Sequence, residues 1–189
     1  MTTADRTPRR ARRSDAQRNY ELLLAAARAV FAERGADAPL DDIARRAGIG
    51  NATMYRHFPT RRDLLVAVYA DEVTTLCDLG ESLLDTHAPA DALFAWLGAF
   101  VTHVATKRDL ALSIPDDGGQ RSALFQAWHE SMHTVAARLL TRAQSAGAAT
   151  DATPPDLLAL ASGIAATSAS DEQAQRCLDL LRRGIAPER

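Results

Sequence analysis

The chain has 189 residues, 47% apolar and 24% charged, and is long enough to bury a hydrophobic core in one or two domains. No apolar run approaches the roughly 18 residues that a transmembrane helix needs, and the basic N-terminus lacks the apolar stretch of a secretory signal. Two widely separated cysteines, Cys77 and Cys177, indicate reduced thiols in the cytoplasm rather than a disulfide framework.

Charge is distributed unevenly along the chain. Residues 1–62 contain 13 Arg against 7 acidic residues, a net charge of +6. Residues 63–189 contain 9 basic residues against 17 acidic ones, a net charge of −8. The overall charge of −2 gives no sign of nucleic-acid binding, but a basic end on an acidic body is typical of a protein that faces DNA at one end.

The first segment, residues 1–14, is predicted to be a disordered basic arm, because its arginines repel one another and Pro8 interrupts it. Such an arm either contacts DNA phosphates and the minor groove or is simply solvated. Ser14 or Asp15 can cap the first helix, which is predicted to run to about Arg34. The arginines of the arm are Arg6, Arg9, Arg10, Arg12 and Arg13.

Residues 40–61 have the pattern of two short helices joined by a tight turn. Ile43, Ala44 and Ala47 form an apolar stripe on the first helix. Gly48 can adopt the left-handed conformation that ends a helix. The pattern therefore predicts a short helix that packs by one face and ends at Gly48.

The second short helix is predicted over residues 51–58, with Met54 and Phe58 pointing inward. An exposed helix of hydrogen-bonding side chains, supported by a short partner helix, is typical of a helix-turn-helix that reads DNA. The residues left outside are Asn51, Ala52, Thr53, Tyr55, Arg56 and His57.

From Ile43 to Leu64 the sequence runs Ile-Ala-x-x-Ala-Gly-Ile-Gly-x-Ala-Thr-x-Tyr-x-His-Phe-x-x-Arg-x-x-Leu. This spacing resembles the DNA-binding signature of the TetR family of transcriptional repressors, and with the preceding helix about residues 16–70 fit that family. Pro39 and Gly50 depart from the family pattern, since they lack the hydroxyls that often cap these two helices there. Ala52 replaces a frequent Gly.

The resemblance implies contacts mainly with DNA phosphates at Thr53, Tyr55, His57 and Arg61. Asn51, Ala52 and Arg56 are candidates for base contacts, because Asn can bridge adenine, Arg can bridge guanine and Ala can meet the thymine methyl. Arg45 and Arg46 are candidates for flanking phosphate contacts. These assignments define a helix-turn-helix DNA-binding domain over residues 15–60.

The remaining residues, 61–189, are predicted to form a larger helical domain for ligand binding and dimerisation. Thr60 can cap its first helix. We expect an all-α fold of about nine helices, with the later ones at about residues 61–85, 90–106, 109–114, 120–144, 154–168 and 171–183.

The last two helices each have one apolar face. They resemble the dimerising helix pair of TetR-type regulators, in which two pairs form a four-helix bundle across a two-fold axis. The alternative is packing within one subunit. The apolar positions are Leu157, Leu160, Ala161, Ile164 and Ala165 on the first helix, and Ala174, Leu178, Leu181 and Ile185 on the second.

Aromatic and polarisable side chains recur on three long helices in the middle of the chain. They can be core, whereas the family resemblance implies that some enclose a mostly apolar ligand pocket. His129 and His133 lie four apart, but the segment lacks the His-Glu-x-x-His zinc pattern, so pocket lining or core is preferred to a metal site. The pocket set is Cys77, Trp96, Phe100, His103, Phe125, Trp128, His129 and Met132.

The sequence thus predicts a cytoplasmic, homodimeric transcriptional repressor that leaves a palindromic double-stranded DNA operator when a small apolar molecule binds. No nucleotide-binding loop, nucleophile elbow or thiolate metal pair is present in the sequence, so neither a cofactor nor an enzymatic activity is expected. Two alternatives stay open. A ligand-independent helix-turn-helix protein would show no small-molecule effect on DNA affinity, and a small helical enzyme would show turnover.

Overall fold

The structure, a computed structural model, describes residues 7–116 and 118–185, with side chains from residue 14 onward and without that of Gln120. Within these ranges the chain forms eight α-helices and no strand, which confirms the all-α prediction. The helices are α1 (Thr7–Arg34), α2 (Leu40–Ala47), α3 (Asn51–His57), α4 (Arg61–Thr86), α5 (Pro89–Leu112), α6 (Gln120–Ser145), α7 (Pro154–Thr167) and α8 (Asp171–Gly184).

Two helix boundaries differ from the prediction. α1 begins at Thr7 rather than near Ser14, because Pro8 is tolerated in a first helical turn and the Ala and Arg residues that follow are strong helix formers. Residues 1–6 of the predicted arm, and the side chains of its later arginines, lie outside the described residues. α5 is continuous, since neither Gly nor Pro lies between Thr106 and Asp109, so the two helices predicted at 90–106 and 109–114 are one. The count is therefore eight rather than about nine.

The chain divides into two compact units. The first contains the residues up to Tyr69 together with Asp109–Ile114, and the second contains Ala70–Arg108 and the residues from Pro115 onward. The sequence placed the boundary at residues 60 and 61, where α4 begins. The boundary between the two compact units instead lies between Tyr69 and Ala70, inside the continuous helix α4.

The first unit is built on the packing of α1 against α2, with α3 on α2. Its core side chains are wholly or almost wholly buried, and burying each large apolar side chain contributes about 1.5–3 kcal/mol. The largest of them are Leu23, Ile43, Met54, Leu64 and Leu65.

α4 begins with a reciprocal capping arrangement. The Asp63 backbone N–H donates to the Thr60 hydroxyl at 3.2 Å, and the Thr60 backbone N–H donates to the Asp63 carboxylate at 3.0 Å. Each contact satisfies a backbone donor that the first helical turn leaves without a partner. The sequence prediction of a cap at Thr60 is confirmed.

In the second unit, α4, α5 and α6 meet around Trp96. The Trp96 side chain has 0% exposure, and its indole N–H donates to the Leu76 carbonyl at 2.9 Å. Gly80 permits this close approach, because a Cβ there would lie 3.0 Å from the Trp96 ring and well inside van der Waals contact with Val135 Cγ1. α7 packs on α6 and α8. None of the described helices is long and apolar enough to cross a bilayer.

Candidate nucleic-acid interface

The turn between α2 and α3 is fixed by backbone hydrogen bonds. Gly48 adopts φ 69°, and its N–H donates to the Arg45 carbonyl at 3.2 Å. The Ile49 N–H donates to the Ala44 carbonyl at 3.0 Å. This is a glycine-terminated helix end, as the sequence predicted. Neither Pro39 nor Gly50, at the starts of α2 and α3, supplies a side-chain cap.

The predicted two faces of α3 are present. Met54 and Phe58, four residues apart, are buried and anchor the helix in the first unit. Tyr55 is 47% exposed, so a large amphipathic ring stands in solvent. The other α3 side chains on this outer face are Asn51, Ala52 and Arg56, and all three are exposed.

Arg56 lies along its own helix. Its Nη2 donates to the Thr53 hydroxyl at 2.7 Å, and its Nε donates to the Ala52 carbonyl at 3.3 Å. Three predicted DNA-contact residues are therefore already in contact with one another. A guanidinium held this way is positioned on the outer surface of α3 by exposed hydrogen bonds, and its contact with a base stays a prediction.

His57 occupies a different environment from the exposed residues of α3. It is half-buried, and its ring centroid lies 6.2 Å from that of Tyr20 on α1. Tyr20 also packs against Phe58, at 5.3 Å between centroids. The sequence analysis missed Tyr20, although it lies three residues before Leu23 on the buried face of α1. Its ring connects α1 to the C-terminal end of α3.

Arg61 has a structural role within the first unit. It is half-buried, and its Nη1 donates to the carbonyls of Ala36 at 2.7 Å and Ala38 at 2.9 Å. These carbonyls belong to the loop between α1 and α2. The contact of Arg61 with DNA phosphate stays a prediction, but the described contacts show that its guanidinium holds this loop.

The two arginines predicted to flank the interface are paired with carboxylates. Arg46 contacts Glu33 at 2.6 Å, and Asp42 contacts both Arg45 at 2.5 Å and Arg34 at 2.7 Å. The hydrogen bond from Arg46 lowers the pKa of Glu33 and raises that of Arg46. Exposed ion pairs of this kind are weak, and the contacts of Arg45 and Arg46 with DNA phosphate stay predictions.

The residues predicted to line a ligand pocket separate into two environments. Trp96 and Phe100 stack at 5.6 Å between ring centroids, and His103 and Met132 are also buried. Because Trp96 has 0% exposure, no space as large as a water molecule touches it. Trp96 therefore packs as a core residue in the ligand-free chain, and its role in lining a pocket stays a prediction.

The other members of that set lie nearer the surface. On α6, Phe125 and Trp128 meet edge to face at 5.2 Å, and both are half-buried. His129 is exposed, with its Nδ1 2.6 Å from the Phe125 carbonyl. Burial, then the nearby Asp78 and Glu81, raise the pKa of the half-buried Cys77 thiol, which disfavours the reactive thiolate. The described residues contain no group of three or more metal-ligating side chains.

The apolar residues of the terminal helices also separate. Leu178 is only 4% exposed, and Leu157, Ala161 and Ile185 are likewise buried within the single chain. They would add little newly buried surface to a dimer, and their assignment as interface contacts stays a prediction. Leu160 is 53% exposed and stays available. The remaining predicted interface residues, all half-buried, are Ile164, Ala165, Ala174 and Leu181.

An exposed leucine of α8 was missed. Leu180 is 61% exposed, two residues after the buried Leu178. The sequence analysis placed Leu178 on the apolar face of α8 and left Leu180 out, because Leu180 does not fit the helical spacing of that face. The structure places Leu160 on α7 and Leu180 on α8 in solvent.

Two family models match the chain in succession. Residues 23–68 match the model described as bacterial regulatory proteins, tetR family. Residues 88–187 match the model described as transcriptional regulator SbtR-like, C-terminal domain. The first match covers the C-terminal part of α1, all of α2 and α3, and the start of α4. The second extends from the start of α5 into the residues after α8.

Individual proteins show the same similarity. The chain is 31% identical to the HTH-type transcriptional regulator EthR of Mycolicibacterium smegmatis over 169 residues, covering 82% of this chain and 76% of EthR. A solved TetR transcriptional regulator from Streptomyces coelicolor is 37% identical with a TM-score of 0.78, covering 90% of this chain and 99% of that one. A second, from Mycobacterium vanbaalenii, is 31% identical with a TM-score of 0.77, covering 93% and 99%.

Proposed function

This chain belongs to the TetR family of bacterial transcriptional regulators, and we propose that it is a homodimeric repressor that a small molecule releases from a palindromic operator. The family assignment makes it a DNA-binding regulator and not an enzyme. Repression, the operator symmetry, the dimer, the effector and a cytoplasmic location are parts of the proposal.

The single observation that carries DNA reading is the two-faced geometry of α3. Met54 and Phe58 are buried and fix the helix from inside, while Asn51, Tyr55 and Arg56 are exposed on its outer side. Helix-turn-helix proteins place such a helix in the major groove, with phosphate contacts setting its register. Asn51 and Arg56 carry the groups that read adenine and guanine edges.

Dimerisation is proposed through α7 and α8, with the contact residues revised. Leu160 and Leu180 are large apolar side chains exposed on two consecutive helices. Gly163 lies one turn after Leu160 and is also exposed, which leaves room for close helix approach. A two-fold dimer would bury these leucines on both copies at once, since an isologous contact uses the same patch twice.

Operator symmetry follows from the dimer. Two α3 helices related by a two-fold axis read two inverted half-sites, separated by about 34–36 Å or a multiple of it. An effector then acts by preferring the shape of the dimer that does not fit this spacing. Such a preference has a typical coupling free energy of about 1–3 kcal/mol.

The test is selection of duplexes from a random DNA pool by the full-length chain, followed by sequencing. The wild-type chain should enrich one palindromic sequence. A matched selection with the double variant Asn51→Ala and Tyr55→Ala should enrich no sequence, because the proposed base and phosphate contacts are lost. The variant should still fold, since both side chains are exposed. Equal enrichment by both chains would refute reading through α3. An asymmetric sequence would refute the two-fold dimer on DNA.

A further inference from the structure

A groove of about 400 Å³ lies within the second unit, between α5 and the turn that joins α7 to α8. It exists because the α5 face toward it carries small residues, including Gly98 and Ala105. Ala174 of α8 is small as well, and the buried Leu178 supplies apolar surface to the lining. A Cβ built on Gly98 would still lie 3.9 Å from Leu178 Cδ1, so the space is unfilled rather than tightly packed.

The polar lining of the groove consists of Thr102, Ser168, Ser170, Asp171 and Gln175, and the Gln175 amide N–H already donates to Asp179 at 3.0 Å. The Thr102 hydroxyl donates its proton to the Gly98 carbonyl at 3.1 Å, which leaves its lone pairs to accept. The Ser170 hydroxyl accepts from the Gln173 N–H at 3.2 Å as the cap of α8. Asp171 adds a carboxylate that forms no ion pair with any residue the structure describes. A positively charged ligand that donates hydrogen bonds would complement the Asp171 carboxylate and the Thr102 hydroxyl.

We propose that this groove binds a small organic cation, with an ammonium group toward Asp171 and a short apolar chain toward Val101 and Leu178. The volume lies within the range of roughly 300–1,000 Å³ that is usual for small-molecule sites. The apolar part of the lining disfavours a hydrated metal ion, and Asp171 disfavours an anion. The site is separate from the aromatic set that the sequence indicated, since none of those residues lines it.

The regulatory part of this inference rests on the proposed function. If the chain is a ligand-released repressor, a cation in this groove is its effector. The α7 and α8 residues that line the groove belong to the same two helices whose outer leucines are proposed to form the dimer. Occupation of the groove therefore acts on the helices that set the distance between two DNA-reading units.

The test is isothermal titration calorimetry of the full-length chain at neutral pH with three probes of equal chain length. These are n-hexylamine, n-hexanol and hexanoate, which carry a positive, no and a negative charge. Hexylammonium should bind most tightly and hexanoate least. Asp171→Asn should weaken hexylammonium binding by about two- to fivefold, the size expected for an exposed ion pair, and leave hexanol unchanged.

Matched variants separate the groove from its surroundings. Glu172→Gln removes an exposed carboxylate in the same helical turn that does not line the groove, and it should leave binding unchanged. Ala174→Phe should fill the groove and lower the affinity for hexylammonium at least about tenfold. Ser168→Trp fills the same space from the turn, in case Ala174→Phe unfolds the chain, and circular dichroism melting checks both.

The results with the three probes and the variants decide whether the groove is the binding site. The proposed site would be overturned if hexanoate binds as tightly as hexylammonium, or if Asp171→Asn and Glu172→Gln have equal effects. It would also be overturned if hexylammonium still binds to both filling variants. Operator titration of the ligand-free chain judges the proposed function separately, because it uses no amine. Binding of hexylammonium in the groove with unchanged operator affinity would overturn its role as the effector site.

Discussion

The guanidinium of Arg56 donates a hydrogen bond to the hydroxyl of Thr53 at 2.7 Å, one turn earlier on α3. Both side chains belong to the face that is proposed to meet DNA. In the DNA-free chain Arg56 is therefore held against its own helix, and the proposed contact with guanine would replace this bond. Because the bond is exposed to water, its net contribution is about 1 kcal/mol, less than a good bidentate base contact contributes.

Arg56→Ala is expected to weaken operator binding and to relax preference at one base pair by about 1–3 kcal/mol. Tyr55→Ala should instead weaken binding to all operator variants alike, because a phosphate contact carries no sequence information. Fluorescence anisotropy against a series of single-base operator variants measures both. Arg176→Ala, an exposed arginine on α8, is the control and should change neither. Unchanged base preference in Arg56→Ala would exclude it as a base contact.

Arg61→Ala is expected to destabilise the chain by about 1–3 kcal/mol, because it leaves the loop carbonyls of Ala36 and Ala38 without their donor. Urea unfolding followed by circular dichroism measures the loss. Arg18→Ala removes an exposed arginine from α1 and should change stability by less than about 0.5 kcal/mol. Equal stability of the two variants would mean that Arg61 does not hold the loop.

Gly80→Ala is expected to lower the free energy of unfolding by about 1–2 kcal/mol. The added methyl overlaps Val135 and crowds Trp96, which costs more than the roughly 1 kcal/mol that alanine adds to a helix. Gly98→Ala, in another helix interior, should stabilise because its methyl meets only an ordinary contact. Val135→Ala should restore part of the loss in a double variant. Stabilisation by Gly80→Ala would contradict the close packing around Trp96.

Leu160→Asp combined with Leu180→Asp is expected to give folded monomers. Both leucines are exposed in the single chain, so charge there opposes association without entering the core. Multi-angle light scattering measures the mass, and circular dichroism checks the fold. Leu112→Asp, another exposed leucine, is the control and should remain a dimer. Leu178→Asp should unfold the chain instead, since Leu178 is buried within it. A dimeric double variant would place the interface elsewhere.

His103 is expected to make stability depend on pH. Burial, the largest cause, lowers its pKa below 6.5, while Glu72 raises it and Lys107 lowers it further. The unfolded chain therefore binds the proton more readily, so the free energy of unfolding is undiminished above about pH 6.5 and falls as pH drops below that value. Urea titrations at several pH values should show a weaker fall for His103→Gln than for the exposed-residue control His129→Gln. Equal pH dependence would contradict this.

The helix-turn-helix was predictable because its signals are local. Gly48 ends α2 through its own backbone conformation, and the four-residue spacing of Met54 and Phe58 fixes which face of α3 is buried. These features need no knowledge of distant parts of the chain. The same holds for the cap at Thr60, whose partner is only three residues away.

Roles that depend on distant packing could not be predicted in the same way. The partners of Arg61 lie 23 and 25 residues away in sequence, in the loop before α2. A tryptophan suits a ligand pocket as well as a core, and only the close packing of Gly80 and Val135 against Trp96 shows that it is buried in the core. Helical spacing placed Leu178 on the apolar face of α8, but only tertiary packing shows that this face is covered within the single chain while Leu180 stays exposed.

The most direct test of the central claim, that two copies of α3 read two half-sites, is a titration of the selected duplex monitored by sedimentation and fluorescence anisotropy. The full palindrome should bind two chains together. Scrambling several base pairs of one half-site should reduce affinity at least about tenfold, since each mismatch costs about 1–3 kcal/mol. One bound chain per duplex, or an affinity that ignores the scrambled half-site, would contradict the account.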